Sequence, residues 1–292
     1  MKALYDVPAP AKLNLFLHII GRRADGYHLL QSPFQLIDWA DKLSFELRED
    51  GRLQRHDLGP ALPADDLCLR AARALQAESA TLLGADISVD KQLPWGAGMG
   101  GGSSDAATTL LALNRLWRLF WPRSRLLALG ATLGADVPFF VGGRNAFVEG
   151  IGEQLTPMAT PNQWFAVVKP AASIATREIF EHPALRRDTR AVILLGSFDG
   201  DPGGTAYCTG YGRNDLQPPA QERYPEVAEA ARWLESRFGN SRMTGSGSAV
   251  FARAGTTDKP MAMFPTAEML PGWVGRMCRG LEQHPLVGWA AD

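Results

Sequence analysis

Apolar and polar positions alternate from Ala11 to Ile20, with Ala11, Leu13, Leu15, Leu17 and Ile19 on one side and Lys12, Asn14, Phe16 and His18 on the other. A period of two is that of an extended strand, so Lys12 and Asn14 point the same way. Asp25-Gly26 is a tight-turn signal and Phe34-Gln-Leu-Ile resumes the extended pattern, which predicts antiparallel strands around a polar turn. The spacing predicts helices over 65–78 and 123–133, the second ending at Gly134. Ile87, Val89, Lys91 and Leu93 then alternate with polar Ser88, Asp90 and Gln92 as a half-buried strand does. Beyond a glycine-rich run, Ala106, Leu110, Leu113 and Trp117 recur at three and four residues along one helical face, with Ser103, Ser104 and Asp105 suited to its N-terminus.

The second half repeats the mixture. A strand is expected at Trp164-Phe-Ala-Val-Val and a helical patch over Thr176 to Phe180. A long glycine-rich loop follows over 196–213, then an amphipathic helix from Tyr224 to Phe238. Arg242 to Phe251 reads as a glycine turn leading into a strand, and a last strand lies near Trp273 to Met277. Between the halves, Thr156-Pro-Met-Ala-Thr-Pro-Asn is polar and punctuated by proline, which puts a boundary between domains 1–157 and 158–292. Strands and helices in both halves make this an α+β chain of two domains, with the cleft between them as the natural ligand site.

The strand, glycine run and helix around residue 100 carry the clearest chemistry. In Pro94-Trp-Gly-Ala-Gly-Met-Gly-Gly-Gly-Ser-Ser-Asp, the glycines at 96, 98, 100, 101 and 102 let consecutive backbone N–H groups converge on an anion, and the helix adds its positive end. Gly96-x-Gly98-x-x-Gly101 matches a dinucleotide fingerprint, but no acid stands between Asp105 and Asp136 to hold a ribose. A Walker loop needs Gly-Lys-Ser or Gly-Lys-Thr, and this run has no lysine. The loop is therefore a phosphate cradle of another kind, with any catalytic cation supplied from elsewhere.

Composition narrows the partners. A net charge of −1 argues against broad attraction to nucleic acid or anionic membrane, so the expected partner is a small molecule, with no obligate protein partner. Only six of the 30 basic residues are lysines, which makes Lys12, inside an apolar strand, conspicuous. Cys68, Cys208 and Cys278 lack paired spacing and read as buried thiols in a reducing cytoplasm; the five histidines show no ligand spacing, so no protein metal site is expected. The chain shows neither an apolar leader nor a run of about 18 apolar residues, and a cytoplasmic location is expected.

Transfer of a phosphoryl group to an alcohol needs a cradle, neutralisation of the migrating charge and a group beside the attacking hydroxyl. Lys12 and Asp136, the latter in Gly134-Ala-Asp-Val-Pro-Phe-Phe, are candidates for the last two. Each has an ordinary structural alternative: Lys12 as a lysine on the wet face of a strand, Asp136 as the N-cap of a short helix. Tyr27-His28 is either exposed hairpin or an aromatic face and hydrogen-bonding edge for a flat ligand such as a nucleobase. Gly245-Ser-Gly is either a plain turn or a second anion-binding nest.

Read together, Ala11-Lys-Leu-Asn-Leu, Gly21-Arg-Arg-x-Asp-Gly-Tyr-His, Gly96-Ala-Gly-Met-Gly-Gly-Gly-Ser-Ser-Asp-Ala-Ala, Gly134-Ala-Asp-Val-Pro-Phe-Phe, Asn214-Asp-Leu and Met243-Thr-Gly-Ser-Gly resemble the GHMP kinases over nearly the whole chain. The resemblance is nearest to the branch that acts on a cytidyl alcohol. It implies a two-domain fold, ribosomal-protein-like in the first half and ferredoxin-like in the second. It implies ATP-dependent phosphorylation of the 2-hydroxyl of a methylerythritol unit, with Mg²⁺ accompanying ATP. By motif, Lys12 and Asp136 become the catalytic pair and Asn14 a substrate contact. Tyr27, His28, Thr176 and Phe180 would hold the cytosine end. Lys91, Pro94, Gly96, Ala97, Gly98, Gly100, Gly101, Gly102, Ser103 and Ser104 would hold ATP, with Lys91 toward the adenosine. The chain departs from the pattern at Asp65-Asp66-Leu67, where similar sequences have Asn-Leu, and at Trp95 beside the loop. Pro260, Pro265 and Pro271 stand where the family places a helix, which predicts an irregular segment.

Overall fold

The structure is a computed structural model that describes residues 1–192, 210–256 and 258–292. Its first sheet is organised by one long strand, β3 (His28–Arg48), which pairs antiparallel with β1 (Ala3–Asn14), β2 (His18–Arg22), β5 (Gly84–Asp90) and β6 (Ala146–Glu149). β4 (Leu53–Asp57) runs parallel to β5 on one edge, and β7 (Gln154–Pro157) closes the other against β6. The Asp25-Gly26 signal makes the β2–β3 hairpin: Gly26 takes φ 92°, and the Asp25 side chain accepts from the Tyr27 N–H at 3.2 Å. The alternation from Ala11 to Ile20 does not form one strand. Leu15 N–H donates to Pro33 O but Leu17 N–H donates to Arg213 O, so the chain changes partners between β1 and β2 and Phe16 is fully buried.

Helix α1 (Leu67–Ser79) is capped by the Asp66 side chain on Leu69 N–H. Helix α2 (Gly101–Leu116) starts inside the glycine run, after Gly100 at φ 72° and with no side-chain cap, so Ser103, Ser104 and Asp105 lie inside the helix, Asp105 beyond its first turn. Nor does α2 bury a single face. Every residue from Ser104 to Asn114 is buried, because Ala106, Ala107 and Ala112 are small enough for strands and helices to close on it from all sides. Helices α3 (Arg123–Leu133), ending at Gly134 as expected, and α4 (Val137–Gly142) complete this layer.

The second sheet is antiparallel, in the order β11 (Val274–Arg279), β8 (Trp164–Lys169), β10 (Val250–Arg253), β9 (Arg242–Met243). Strand periodicity divides its side chains between two cores. Ala166, Val168, Val250 and Ala252 meet Val227, Ala230 and Leu234 of the long helix Pro225–Phe238, whereas Phe165, Val167 and Phe251 meet Leu13, Phe16, Ile37 and Phe147 of the first layer. Two shorter helices, α5 (Thr176–Glu181) and α6 (Gln217–Arg223), precede that helix, which is α7 among the described residues. Of the expected loop over 196–213, residues 196–209 lie outside the described residues, as does Cys208; Cys68 and Cys278 are buried thiols. Among the described residues of 255–272 there is one short 3-10 turn, Thr266–Glu268, where the prolines predicted irregular chain.

After β11 the chain returns to the first layer. Gly280 bridges Ile37, Leu286 joins the first core, and the buried Arg123 guanidinium donates to Val141 O and Ala290 O and pairs with Asp292. A single cut after residue 157 therefore separates the two sheets but not this terminal strap. Among the described residues, no helix is long and apolar enough to cross a membrane.

The two layers meet most tightly at backbone. Ser248 N–H donates to Gly96 O and Ala249 N–H to Ala97 O, each at 3.1 Å, while a Cβ on Gly98 would stand 2.4 Å from Thr244 O. Gly98→Ala is expected to cost about 2–4 kcal/mol, from overpacking and left-handed strain together. Gly239→Ala, with a similar φ of 67° but nothing within 4 Å of the added Cβ, is expected to cost about 1–2 kcal/mol. Urea unfolding of both variants measures the difference; equal losses would show that the collision is relieved by small shifts.

Candidate active site

The glycine run forms one wall of a cleft of about 440 Å³, lined by Lys91, Pro94, Gly96, Ala97, Gly98, Gly100, Gly101, Gly102 and Ser103, with Leu62, Asp66 and Trp95 opposite or at the rim. Gly96, Gly98 and Gly100 all take positive φ, between 63° and 72°, which turns successive peptide groups around the cavity. The first N–H groups of α2 have no acceptor within the helix and add their partial positive charge there. Ser104 faces the other way: it is fully buried and its hydroxyl donates to Pro10 O at 2.7 Å, so among the expected loop contacts its side chain is withdrawn from the cleft.

Lys91 reaches the cleft but is tied down. Its ammonium pairs with Asp105 at 2.6 Å and with Asp41, whose other oxygen accepts the N–H groups of Gln92 and Leu93. Burial opposes the Lys91 charge, but Asp105 and Asp41 outweigh it and raise its pKa. One lysine neutralises only one of two acids in a dry place. Burial foremost pushes the Asp105 carboxyl up to about 8, opposed by Lys91 and reinforced by Asp41. Its Oδ1 has no partner among the described residues.

Lys12 lies on the far side of the loop. Gly100, whose added Cβ would meet the Lys12 chain at 3.3 Å and Phe140 at 3.0 Å, leaves the space it occupies. The Lys12 ammonium donates to Asn14 Oδ1 at 2.5 Å, sits 4.2 Å from the Phe34 ring centre and stands 3.5 Å from Asp136. Burial lowers its pKa below the ordinary 10.5, with Asp136 opposing the fall. Asn14 is spent on holding it, since its Nδ2 donates to Ser32 at 2.8 Å and its backbone N–H to Thr244 Oγ1 at 2.9 Å. Asp136 occupies the N-cap position of α4 but makes no side-chain cap bond, which leaves its partly exposed carboxylate for Lys12 and the cavity.

A second cavity of about 830 Å³ is lined by Arg22, Tyr27, His28, Leu30, Ile151, Thr176, Arg177, Phe180 and Arg187, among others. Tyr27 is 61 % exposed, and the His28 and Phe180 rings lie 5.1 Å apart at 36°. Thr176 also touches the glycine turn of the second layer, its hydroxyl 2.8 Å from that of Ser246. The Lys12–Asp136 pair is in the lining of neither cavity but is joined to each through a neighbour. Gly100 of the first packs on Lys12, and Gly152, next to Ile151 of the second, packs on Ala135, next to Asp136. Sequence reading named the glycine loop, Lys12, Asn14, Lys91, Asp136, Tyr27, His28, Thr176 and Phe180 but not Arg187, the Asp41–Asp105 pairing or the Phe34 ring against Lys12; Arg22 stood inside a recognised phrase, but no local pattern marks Arg187.

A cradle at a helix N-terminus, a buried lysine paired with a partly exposed aspartate and a second layer closing on the glycine run make a small-molecule kinase site. Residues 66–144 match the model of the GHMP kinases N terminal domain and residues 206–261 that of the GHMP kinases C terminal. The chain is 64 % identical to a 4-diphosphocytidyl-2-C-methyl-D-erythritol kinase of Methylibium petroleiphilum, over 99 % of both chains. It is 55 % identical to one of Albidiferax ferrireducens, over 100 % of this chain and 97 % of that one. A crystal structure of 4-(cytidine 5'-diphospho)-2C-methyl-D-erythritol kinase superposes with a TM-score of 0.75 at 36 % identity, covering 94 % of this chain and 98 % of the other. The chain belongs to the GHMP kinases and, within them, to the 4-diphosphocytidyl-2-C-methyl-D-erythritol kinase family. The expected two-domain α+β fold is the fold of that family.

The raised pKa of Asp105 has a stability consequence. A carboxyl whose folded pKa exceeds its unfolded 3.8 contributes stability that is full below about 3.8 and lost as pH rises through about 8. Wild-type Tm is expected to carry this downward component from pH 5 to 9, and Asp105→Asn to flatten it. Parallel Tm profiles for the two proteins would place the protonation elsewhere.

Proposed function

We propose that this chain transfers the terminal phosphoryl group of ATP to the 2-hydroxyl of 4-diphosphocytidyl-2-C-methyl-D-erythritol, yielding ADP and the 2-phosphate, a step in non-mevalonate isoprenoid precursor formation. The observation that carries the mechanism is the Lys12–Asp136 pair at 3.5 Å, with Lys12 packed against Gly100 of the glycine cleft and a second cavity of aromatic and cationic groups nearby in the fold. ATP lies in the glycine cleft with its phosphates toward Gly100 and the N-terminus of α2. The cytidyl end lies in the second cavity among Tyr27, His28, Thr176 and Phe180, which brings the sugar alcohol to the pair.

Asp136 accepts the proton as the hydroxyl oxygen attacks phosphorus and the bond to the ADP oxygen breaks. Lys12, 3.5 Å from Asp136, holds that carboxylate in place and faces the oxygens on which negative charge gathers. Its burial strengthens that interaction, and Asn14 and the Phe34 ring fix its direction. Mg²⁺ neutralises charge on the nucleotide phosphates when bound. Among the described residues no group of three His, Cys, Asp or Glu side chains forms a metal cage, and Asp105 is committed to Lys91. These residues fit an ion carried largely by phosphate and water.

Asp136→Asn is expected to lower kcat by about 10²–10⁴ while leaving ATP binding intact. The basic limb of the wild-type pH–rate profile is expected below 10.5, since burial lowers the Lys12 pKa, and to move lower still in Asp136→Asn, where the opposing charge is gone. Single-turnover transfer from labelled ATP, over a pH series, measures both. Transfer to mevalonate or homoserine but not to the cytidyl alcohol would overturn the substrate, and an unaltered rate in the variant would overturn the base.

A further inference from the structure

Arg187 connects two parts of the second cavity that are far apart in sequence. Its Nε donates to His28 Nε2 at 3.1 Å, its Nη1 to Leu185 O at 3.0 Å, and its Nη2 to Phe180 O at 3.1 Å and His182 O at 3.0 Å. One planar group thus holds the imidazole from β3 and the C-terminal end of α5, which carries Phe180. A guanidinium only donates, so the imidazole nitrogen it touches must be an unprotonated acceptor. His28 is then neutral, and its one ring proton sits on Nδ1. Burial, followed by the charges of Arg187 and Arg22, lowers the His28 pKa in the same sense.

We propose that Arg187 is a positioning residue for base specificity: by occupying Nε2 it locks His28 as the Nδ1–H tautomer, a hydrogen-bond donor toward the base. This rests on the cytidyl reading of the cavity. Cytosine N3 is an acceptor and satisfies that donor, whereas uracil N3 carries a proton and meets donor with donor. Were Arg187 absent, the ring would be free to move its proton to Nε2 and present an acceptor at Nδ1, which suits uracil instead. The same residue holds the Phe180 backbone, so the face and the edge of the base site are set by one side chain.

The test begins with nitrogen NMR of the His28 ring in the unliganded full-length enzyme. Nδ1 protonated and Nε2 bare in wild type is the expected result; a ring protonated at Nε2, or at both nitrogens near neutral pH, overturns the proposal without any variant. In Arg187→Met the tautomers are expected to mix, and preference for the cytidyl substrate over its uridyl analogue to fall about 10–100-fold, the range of one hydrogen bond made or left unmet. The loss is expected in KM for the cytidyl substrate rather than in kcat. An Arg187→Met enzyme that keeps both tautomer and preference overturns the assignment. Wild type that uses both nucleotides equally, with the Nδ1–H tautomer in place, instead overturns the cytidyl reading of the cavity on which specificity rests.

Discussion

The site depends on a close backbone contact between two glycine turns from opposite layers. A side chain at Gly98 would collide with Thr244 O, and one at Gly245 would stand 2.7 Å from Gly98 O, so neither turn has room for a Cβ. Lys12 N–H donates to Met99 O from the other side at 3.0 Å. The glycine loop, the proposed phosphate cradle, is therefore clamped between β1 and the 244–249 turn, which fixes its backbone before any ligand arrives. Donors fixed in advance need little reorganisation when charge moves, which is how a loop without a lysine can serve phosphoryl transfer.

Two lysines flank that loop, Lys12 buried and Lys91 partly so, and their surroundings divide the labour. Lys91 has two carboxylates in contact, and the surplus negative charge is relieved by raising Asp105 toward neutrality. Its charge is consumed locally, so it acts as a tie between β5, α2 and the strand that carries Asp41. Lys12 has one carboxylate at 3.5 Å, an amide oxygen and an aromatic face. That environment holds the ammonium without a second carboxylate, and in the mechanism proposed above a phosphoryl group with developing charge completes the pairing.

Motif and periodicity made the site legible wherever the signal was local. The Asp25-Gly26 hairpin, the helix ending at Gly134 and the amphipathic helix before the last glycine turn form where their patterns lie, and the half-buried strand before the glycine run forms but ends at Asp90, short of Lys91 to Leu93. Placement of Lys12 and Asn14 on one side follows from strand periodicity alone. The pattern misled where tertiary neighbours set burial: α2 looked one-sided yet is enclosed all round, Phe16 looked wet yet is buried, and the hydroxyl of Ser104 turned inward to Pro10.

The sequence by itself determined the kind of chemistry, because a glycine run before a helix, a lysine in an apolar strand and an Asp-Gly-Tyr-His turn are each local and each carry their own physics. Only the tertiary structure decided which of these groups act together. Lys12 and Asp136 are separated by most of the first layer in sequence and 3.5 Å in space; Arg187 meets His28 across 159 residues at 3.1 Å. Partnerships of that kind are set by how sheets stack and by where a chain returns, as in the terminal strap on Arg123. Their energies depend on distance and burial, and a linear pattern of residue types encodes neither directly.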